Sequence, residues 1–89
     1  MRAVATVTGK DKIGIIAKVS EFLSKYGVNI EDISQTVLSD YFAMIMLLDL
    51  TNSKLELSGL VSLAEEKGRE IGMVFKIMHE DIFNSMHKI

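Results

Sequence analysis

Two segments with the apolar spacing of amphipathic helices each lie between segments typical of β-strands. Residues 2–8 are rich in Val and Thr and end at Gly9, which predicts a strand followed by a tight loop. After this loop, apolar residues recur three or four positions apart while Lys and Glu fall between them, as in a helix with one buried face. The residues of this stripe are Ile15, Ile16, Val19, Phe22, Leu23 and Tyr26. We predict that the helix ends with Gly27 as its C-cap.

The segment after the first helix carries the alternation of a strand, but its apolar residues change parity. Val28 and Ile30 share one parity, whereas Ile33 and Val37 share the other. Because successive side chains of a strand point to opposite faces, a bulge near residues 31–32 would reconcile the two sets. The sequence therefore predicts a second strand with a bulge.

The middle of the chain predicts a hairpin and a second helix. Residues 39–40, a Ser and an Asp, form a short turn, and residues 41–48 contain no charged side chain, as expected of a central strand covered on both faces. Ser53 and Glu56 form an S-x-x-E pattern that predicts a capping box at the start of the helix. Gly68 falls on the apolar stripe of this helix. Because an interior glycine costs about 1 kcal/mol relative to alanine, it predicts a close contact with the sheet.

A fourth strand and a short terminal helix complete the pattern. Gly72 ends the second helix, and residues 73–78 alternate between an apolar side and a mixed side. The stripe of the terminal helix consists of Ile82, Phe83, Met86 and Ile89. We expect this helix to cover the sheet face opposite the two longer helices, on the same subunit or on a neighbour, because its stripe has no other apolar surface to meet.

The order strand, helix, strand, strand, helix, strand, helix predicts an α+β fold. It is a ferredoxin-like βαββαβ sandwich, with a four-stranded antiparallel sheet, two helices on one face and a short C-terminal helix. A chain of 89 residues has room for one hydrophobic core, so residues 1–89 are predicted to form a single domain. In a sheet ordered 4-1-3-2 the second strand lies at an edge, and we expect it to pair with its copy in a homodimer.

The composition argues against several classes of partner. A formal net charge of -2 and a pI near 5.6 leave no broad basic face for nucleic acid or for an anionic membrane surface. No apolar run approaches the roughly 18 residues of a membrane span, and the first residues lack the apolar core of a signal peptide. Cysteine is absent, which excludes disulfides and thiol chemistry and fits a reducing compartment. We therefore expect a cytoplasmic protein.

The sequence offers little support for catalysis, a cofactor or a metal. It contains no Ser-His-Asp order and no GxSxG, HExxH or paired-carboxylate signature, so we expect no enzyme activity and no cofactor. His79 and His87, together with Glu80 and Asp81, have the ligand chemistry of a zinc or nickel site. The histidines lie eight residues apart rather than at the i, i+4 spacing of one helix face, so we expect surface or interface histidines.

The loop between the first strand and the first helix is the first candidate binding site. Gly9 and Gly14 bracket this polar loop, which would let its backbone approach a ligand, and the helix start offers N–H groups and partial positive charge to a carboxylate. The alternative is that Asp11 caps the helix and the glycines only form the turn. The second candidate is Asn29, whose amide suits both charged groups of an amino acid; its alternative role is to bond to loop backbone.

These features together resemble the ACT domain, and in particular the small proteins that consist of one ACT domain and little else. The resemblance covers essentially the whole chain and rests on G-K-D-K-I-G-I-I-A-K-V-S, on Y-G-V-N-I-E-D-I-S-Q-T and on the tail H-E-D-I-F-N-S-M-H-K-I. The loop of the family commonly carries D-x-P-G, and Ile13 stands here at the position of the proline. Since proline fixes φ in the first turn of a helix, its loss loosens the loop.

The resemblance implies a regulatory module that binds an amino acid or another small ligand between two subunits. Carried over by position, the ligand-binding residues are Gly9, Asp11, Ile13 and Gly14, with Asn29 facing them from the neighbouring subunit. We add Ile15, because the carboxylate should lie against backbone N–H groups near the helix start. The preferred hypothesis is a non-catalytic homodimeric sensor that conveys the level of an amino acid to a partner enzyme or regulator. The alternative is a structural or protein-interaction module with no functional ligand pocket.

Overall fold

The part of the chain that the structure describes, residues 1–10 and 13–86 of the computed structural model, forms one four-stranded antiparallel sheet with two long helices on one face. The elements are β1 (Arg2–Gly9), α1 (Ile15–Lys25), β2 (Asn29–Leu38), β3 (Tyr41–Asp49), α2 (Leu57–Ile71), β4 (Val74–His79) and α3 (Glu80–Met86). The strand order is β2-β3-β1-β4, and every neighbouring pair is antiparallel. This confirms the ferredoxin-like α+β fold and places β2 at an edge of the sheet.

The hydrophobic core lies between the two long helices and one face of the sheet, called here the inner face. Alternate strand residues supply one side of this core, and the apolar stripes of α1 and α2 supply the other. The largest fully buried side chains are Val7, Ile15, Val19, Leu23, Met44, Met46, Leu48, Leu60 and Phe75. Phe22 meets Phe75 edge to face with ring centroids 5.5 Å apart. Such a pair adds about 0.5–1.5 kcal/mol beyond the burial of its area.

The bulge in β2 lies where the parity change predicts it. The pairing register between β2 and β3 shifts between Ile30 and Asp32, so that Ile30 faces Leu48 and Ile33 faces Met46. Both partners belong to the core, and the bulge therefore returns the two isoleucines to the inner face.

The glycine in the middle of α2 permits a close approach between this helix and β4. A Cβ atom at Gly68 would lie 2.7 Å from the carbonyl oxygen of Met73 and 2.9 Å from the backbone nitrogen of Phe75. Ordinary contacts begin at 3.4 Å, so the helix can lie this near only without a side chain. The predicted contact with the sheet is confirmed.

The end of α1 differs by one residue from the expectation. The helix ends at Lys25 with Tyr26 as its C-cap, and Gly27 is the following residue, with φ 74°. A glycine in this left-handed conformation after the cap is the usual way to stop a helix. Gly27 also packs against the loop before α2, because a Cβ atom here would lie 2.5 Å from the carbonyl oxygen of Asn52.

The predicted capping box of α2 is wrong. Glu56 itself is the N-cap, and its side chain makes no capping hydrogen bond. The hydroxyl of Ser53 instead forms a local turn: it donates to the carbonyl oxygen of Leu55 at 2.7 Å and accepts from the Leu55 N–H at 3.2 Å. This turn competes with capping, so the helix starts later than the motif suggests. The other end is as predicted, with Gly72 as C-cap at φ 73°.

The opposite sheet face, called here the outer face, is largely uncovered within the described residues. β3 alternates between buried and exposed positions, and Ala43 and Ile45 are exposed, Ile45 by 46%. The expectation that this strand is covered on both faces is therefore wrong for the single chain. Residues 41–48 lack charge because the residues of β3 on the outer face, such as Ala43 and Ile45, are also apolar although they are exposed.

The terminal helix covers at most one part of this outer face, next to Val4, an outer-face residue of β1 that is only 5% exposed although it lies outside the core cluster. The expectation, which named the same subunit or a neighbour, is wrong only for full coverage of this face by the same chain. α3 lies beside β1 and β4, and the Arg2 guanidinium donates to Glu80 at 2.6 Å. Its apolar residues Ile82 and Met86 remain 54% and 66% exposed, and Ile89 lies outside the described residues.

Candidate ligand-binding site

The loop after β1 leads into α1, whose first turn begins at the surface. Gly14 occupies the N-cap position with φ 72°, a conformation that L side chains rarely adopt. Among the described residues no side chain caps the helix, and the N–H groups of its first turn have no partner within the helix. Asp11, the alternative cap from the sequence, lies outside the described residues. The helix start therefore carries donor groups and partial positive charge, which favour an anion.

The two glycines of the loop, Gly9 and Gly14, have different surroundings. A Cβ atom at Gly9 would collide with the sulfur of Met73, so this glycine packs closely against the Met73 side chain. Gly14 is different, because the nearest atom to a Cβ built there is Lys18 Cε at 3.9 Å. The backbone at Gly14 is thus open to a ligand, whereas the backbone at Gly9 is covered by Met73.

The flanking isoleucines also differ. Ile13, at the proline position of the family motif, has an exposed side chain (81%), whereas Ile15 is buried in the core with 2% exposed. Ile15 can therefore offer a ligand only its backbone N–H.

Asn29 lies far from this loop in the same chain. It is the exposed first residue of β2 and pairs with Asp49, which in turn pairs with Arg2 at the start of β1. Gly9 lies at the other end of β1, seven residues later, roughly 23 Å away at the rise of an antiparallel strand. One chain therefore does not bring together the two parts of the expected site.

A cavity of about 270 Å³ lies beside the loop, between Lys10 and Ile13 on one side and the β2–β3 hairpin on the other. Val37 and Tyr41 contribute hairpin walls, and Lys10 Nζ lies 5.5 Å from the centroid of the Tyr41 ring. Lys10, Val37 and Tyr41 are not among the site residues predicted from the sequence. The predicted strand order could have indicated these residues. Because β1 and β3 are antiparallel neighbours, the tip of the β2–β3 hairpin must lie beside the end of β1.

The end of the sheet near Asn29 is highly charged. The side chain and the backbone N–H of Thr51 both donate to Asp49, and these hydrogen bonds lower the pKa of that carboxyl. Arg2 pairs with Glu80 at 2.6 Å and lies 3.6 Å from Glu31 in the β2 bulge. The hydrogen bond and charge of Glu80 raise the pKa of Arg2, which stays cationic.

His79 belongs to no metal centre among the described residues. His79 Nδ1 accepts a hydrogen bond from the Asp81 N–H at 3.0 Å, a local contact at the start of α3. His87 lies outside the described residues. Among residues 1–10 and 13–86, no group of three or more His, Cys, Asp or Glu side chains is arranged to hold a metal ion.

The comparison with protein families decides which fold family this arrangement represents. The model of the ACT domain matches residues 2–77. The chain belongs to the ACT domain family. It is 48% identical over 89 residues to a UPF0237 protein of Clostridium acetobutylicum, with both chains covered completely.

Two solved structures place this ACT domain among its neighbours. An ACT domain protein from Streptococcus pneumoniae has a TM-score of 0.83 and 40% identity, over 93% of each chain. A formyltetrahydrofolate deformylase from Pseudomonas syringae has a TM-score of 0.78 and 26% identity, over 88% of this chain and 27% of that one. The ACT fold therefore occurs both as nearly a whole chain and as a smaller part of a longer one.

The helices of this ACT domain give no sign of a membrane span. Within the described ranges, none is both long and apolar enough to cross a bilayer.

Proposed function

We propose that this ACT domain is a single-domain, non-catalytic regulatory module of the cytoplasm that binds an amino acid as a homodimer. The observation that carries the proposal is the position of the two site halves at opposite ends of the edge strand β2. Such halves can meet when two copies of that strand pair in antiparallel orientation.

The edge position of β2 supports pairing between two copies. Nine of the ten residues of this strand are exposed, and the tenth, Ile30, is half-buried. A long edge strand presents a row of unpaired N–H and C=O groups and readily accepts another strand. A twofold axis would make the contact isologous, which is the commonest form of homodimer.

The register in which two copies of β2 pair then determines which residues each site would contain. Pairing two copies about the middle of the strand places Asn29 of the partner subunit opposite Leu38. Through Val37 and Phe42, this end of the strand adjoins Gly9, where the loop starts. Each of two equivalent sites would contain the loop of one chain and Asn29 of the partner subunit.

The chemistry at such a site suits an amino acid. The uncapped N–H groups at the start of α1 would hold the carboxylate, and the Asn29 amide of the partner subunit would bind a polar group of the same ligand. The neighbouring deformylase supports an accessory role, because its matching unit makes up 27% of that chain. In this proposal, ligand binding is conveyed to a separate partner enzyme or regulator.

A second candidate is a protein-interaction module without a ligand. The observation that favours it is the uncovered outer face, where Ile45 is 46% and Val74 54% exposed. Apolar surface of this kind commonly marks a contact with another protein.

Proline substitutions in β2 test the dimer. Backbone N–H groups of adjacent strand residues point alternately toward β3 and toward the open edge. Of Gln35→Pro and Thr36→Pro, one should remove an edge donor and weaken the dimer while the fold persists, and the other should damage the β2–β3 ladder. Sedimentation velocity with circular dichroism separates these effects. A parent protein that sediments only as a 9.9 kDa species would contradict the dimer.

Calorimetry against the twenty amino acids tests ligand binding. If one binds, Asn29→Ala should weaken it by roughly 2- to 13-fold, because a typical hydrogen bond contributes about 0.5–1.5 kcal/mol. The thermal stability of this variant should stay close to that of the parent, since Asn29 is exposed. No binding at millimolar concentration would leave the interaction module as the function.

A further inference from the structure

The cavity between the loop and the β2–β3 hairpin combines apolar walls with a small size. Ile13, Val37 and Tyr41 line it with side chains that are 81%, 49% and 55% exposed, and Phe42 lies at its base. Its volume of about 270 Å³ lies just below the range of drug-sized pockets, roughly 300–1,000 Å³. A ligand of amino-acid size fits this space better than a nucleotide or a larger cofactor.

Two opposite charges border the same cavity. The Lys10 ammonium lies over the ring of Tyr41, 5.5 Å from its centroid, where the face of an aromatic ring attracts a cation. Asp40, in the hairpin turn, also lines the cavity. Within the described residues, neither side chain takes part in an ion pair. Both charges are therefore available to a zwitterion.

We propose that this cavity selects an α-amino acid with an apolar side chain, with Lys10 binding the carboxylate and Asp40 the ammonium group. The inference rests on the proposed function and names the ligand class of that site. Lys10 lies on the same loop as the N–H groups at the start of α1, so both can face one carboxylate. The apolar part of the ligand then lies against Ile13, Val37 and Tyr41.

The same residues disfavour other amino acids. A second carboxylate, as in aspartate, would lie beside Asp40 or against apolar walls. Burying a charged or polar group without a partner is unfavourable, whereas each buried methylene group of an apolar side chain is favourable. Glycine and serine offer too little apolar surface to gain from these walls.

The first experiment measures selectivity by heteronuclear NMR titration of the full chain, which detects millimolar affinity. Valine, leucine, isoleucine, methionine and phenylalanine are compared with glycine, serine, aspartate, asparagine and lysine. We expect the tightest binding within the first group and shifts at the backbone amides of the hairpin. If no amino acid binds, the proposed function fails and this inference fails with it. If a ligand of the second group binds as tightly or more tightly, only the inference is overturned.

The second experiment assigns the carboxylate contact with leucine and leucinamide, which has a neutral amide in place of the carboxylate. The parent should prefer leucine, and Lys10→Met should reduce leucine affinity by about three- to tenfold, the range expected for one lost polar contact. The preference over leucinamide should shrink in this variant. Lys76→Met, at an exposed position of β4, is the matched control and should leave both affinities unchanged.

Asp40→Asn tests the ammonium contact and keeps a residue that suits a turn. It should weaken leucine binding to a similar extent. If Lys10→Met and Lys76→Met give equal leucine affinities, or if the preference over leucinamide persists without Lys10, the assignment is wrong. Circular dichroism of each variant excludes loss of the fold as the cause.

Discussion

Replacing Gly68 with alanine should destabilise this protein, although alanine favours helices. A Cβ atom here would lie 2.7 Å from the Met73 carbonyl oxygen, whereas ordinary contacts begin at 3.4 Å. To gain that separation, α2 and β4 must move apart by about 0.7 Å or distort, and overpacking of this kind costs typically about 1–3 kcal/mol. The movement also strains the bond from the Met73 N–H to the Gly68 carbonyl, now 2.8 Å long.

The expected size follows from two opposing effects. Alanine gains about 1 kcal/mol over glycine inside a helix, which offsets part of the overpacking and of the strained hydrogen bond. We expect Gly68→Ala to lower the free energy of unfolding by about 1–2 kcal/mol. For a chain of this size each kcal/mol corresponds to roughly 4–8 °C in Tm.

The same helix offers a matched control at Gly59. The nearest atom to a Cβ atom there is Leu55 Cβ at 3.7 Å, an ordinary contact. Gly59→Ala should therefore raise the free energy of unfolding by up to about 1 kcal/mol. Urea unfolding followed by circular dichroism, at one protein concentration, measures both variants. Equal stabilisation by the two alanines would refute the close approach of α2 to β4.

Three further predictions concern other parts of the chain. Gly14→Val should lose about 1–3 kcal/mol of stability because its backbone stays left-handed, whereas Gly14→Asn should lose less; urea unfolding compares them. Phe83→Ala should lower Tm more than Ile82→Ala, because Phe83 is half-buried and Ile82 is 54% exposed. The pKa of Asp49 should lie below its ordinary 3.8 and rise in Thr51→Val, as measured by NMR titration. The stability that this depressed pKa contributes is present at neutral pH and is lost as the pH falls through the folded-state pKa.

The order and type of the helices and strands could be predicted because the spacing of apolar residues differs between them and can be read from a short stretch of sequence. The bulge is an example, since Ile30 and Ile33 could share a face only if one residue were inserted between them. The start of α2 could not be predicted in the same way. Ser53 satisfies both the capping pattern and a local turn, and the choice depends on the position of Leu55 in the folded chain.

The candidate site could be predicted only in part, for a geometric reason. The loop glycines and Asn29 are visible as motifs, but a motif does not reveal that they lie at opposite ends of one sheet. The hairpin residues Val37 and Tyr41 carry no motif at all. They become candidates only through the pairing of β1 with β3, which places the hairpin beside the loop.

The two edges of the sheet are not equivalent, and their charges favour β2 over β4 as the contact of the proposed dimer. β4 has six residues and carries Lys76 in its middle, a common protection of an edge against pairing. β2 has ten residues, and its charges, Glu31 and Asp32, both lie in its first half. Antiparallel pairing about the middle of β2 places Asp32 opposite Gln35 and Glu31 opposite Thr36, so each acidic side chain meets a neutral polar one. The proposed arrangement, which would unite the halves of the site, would therefore also avoid like charges directly opposite each other between the two strands.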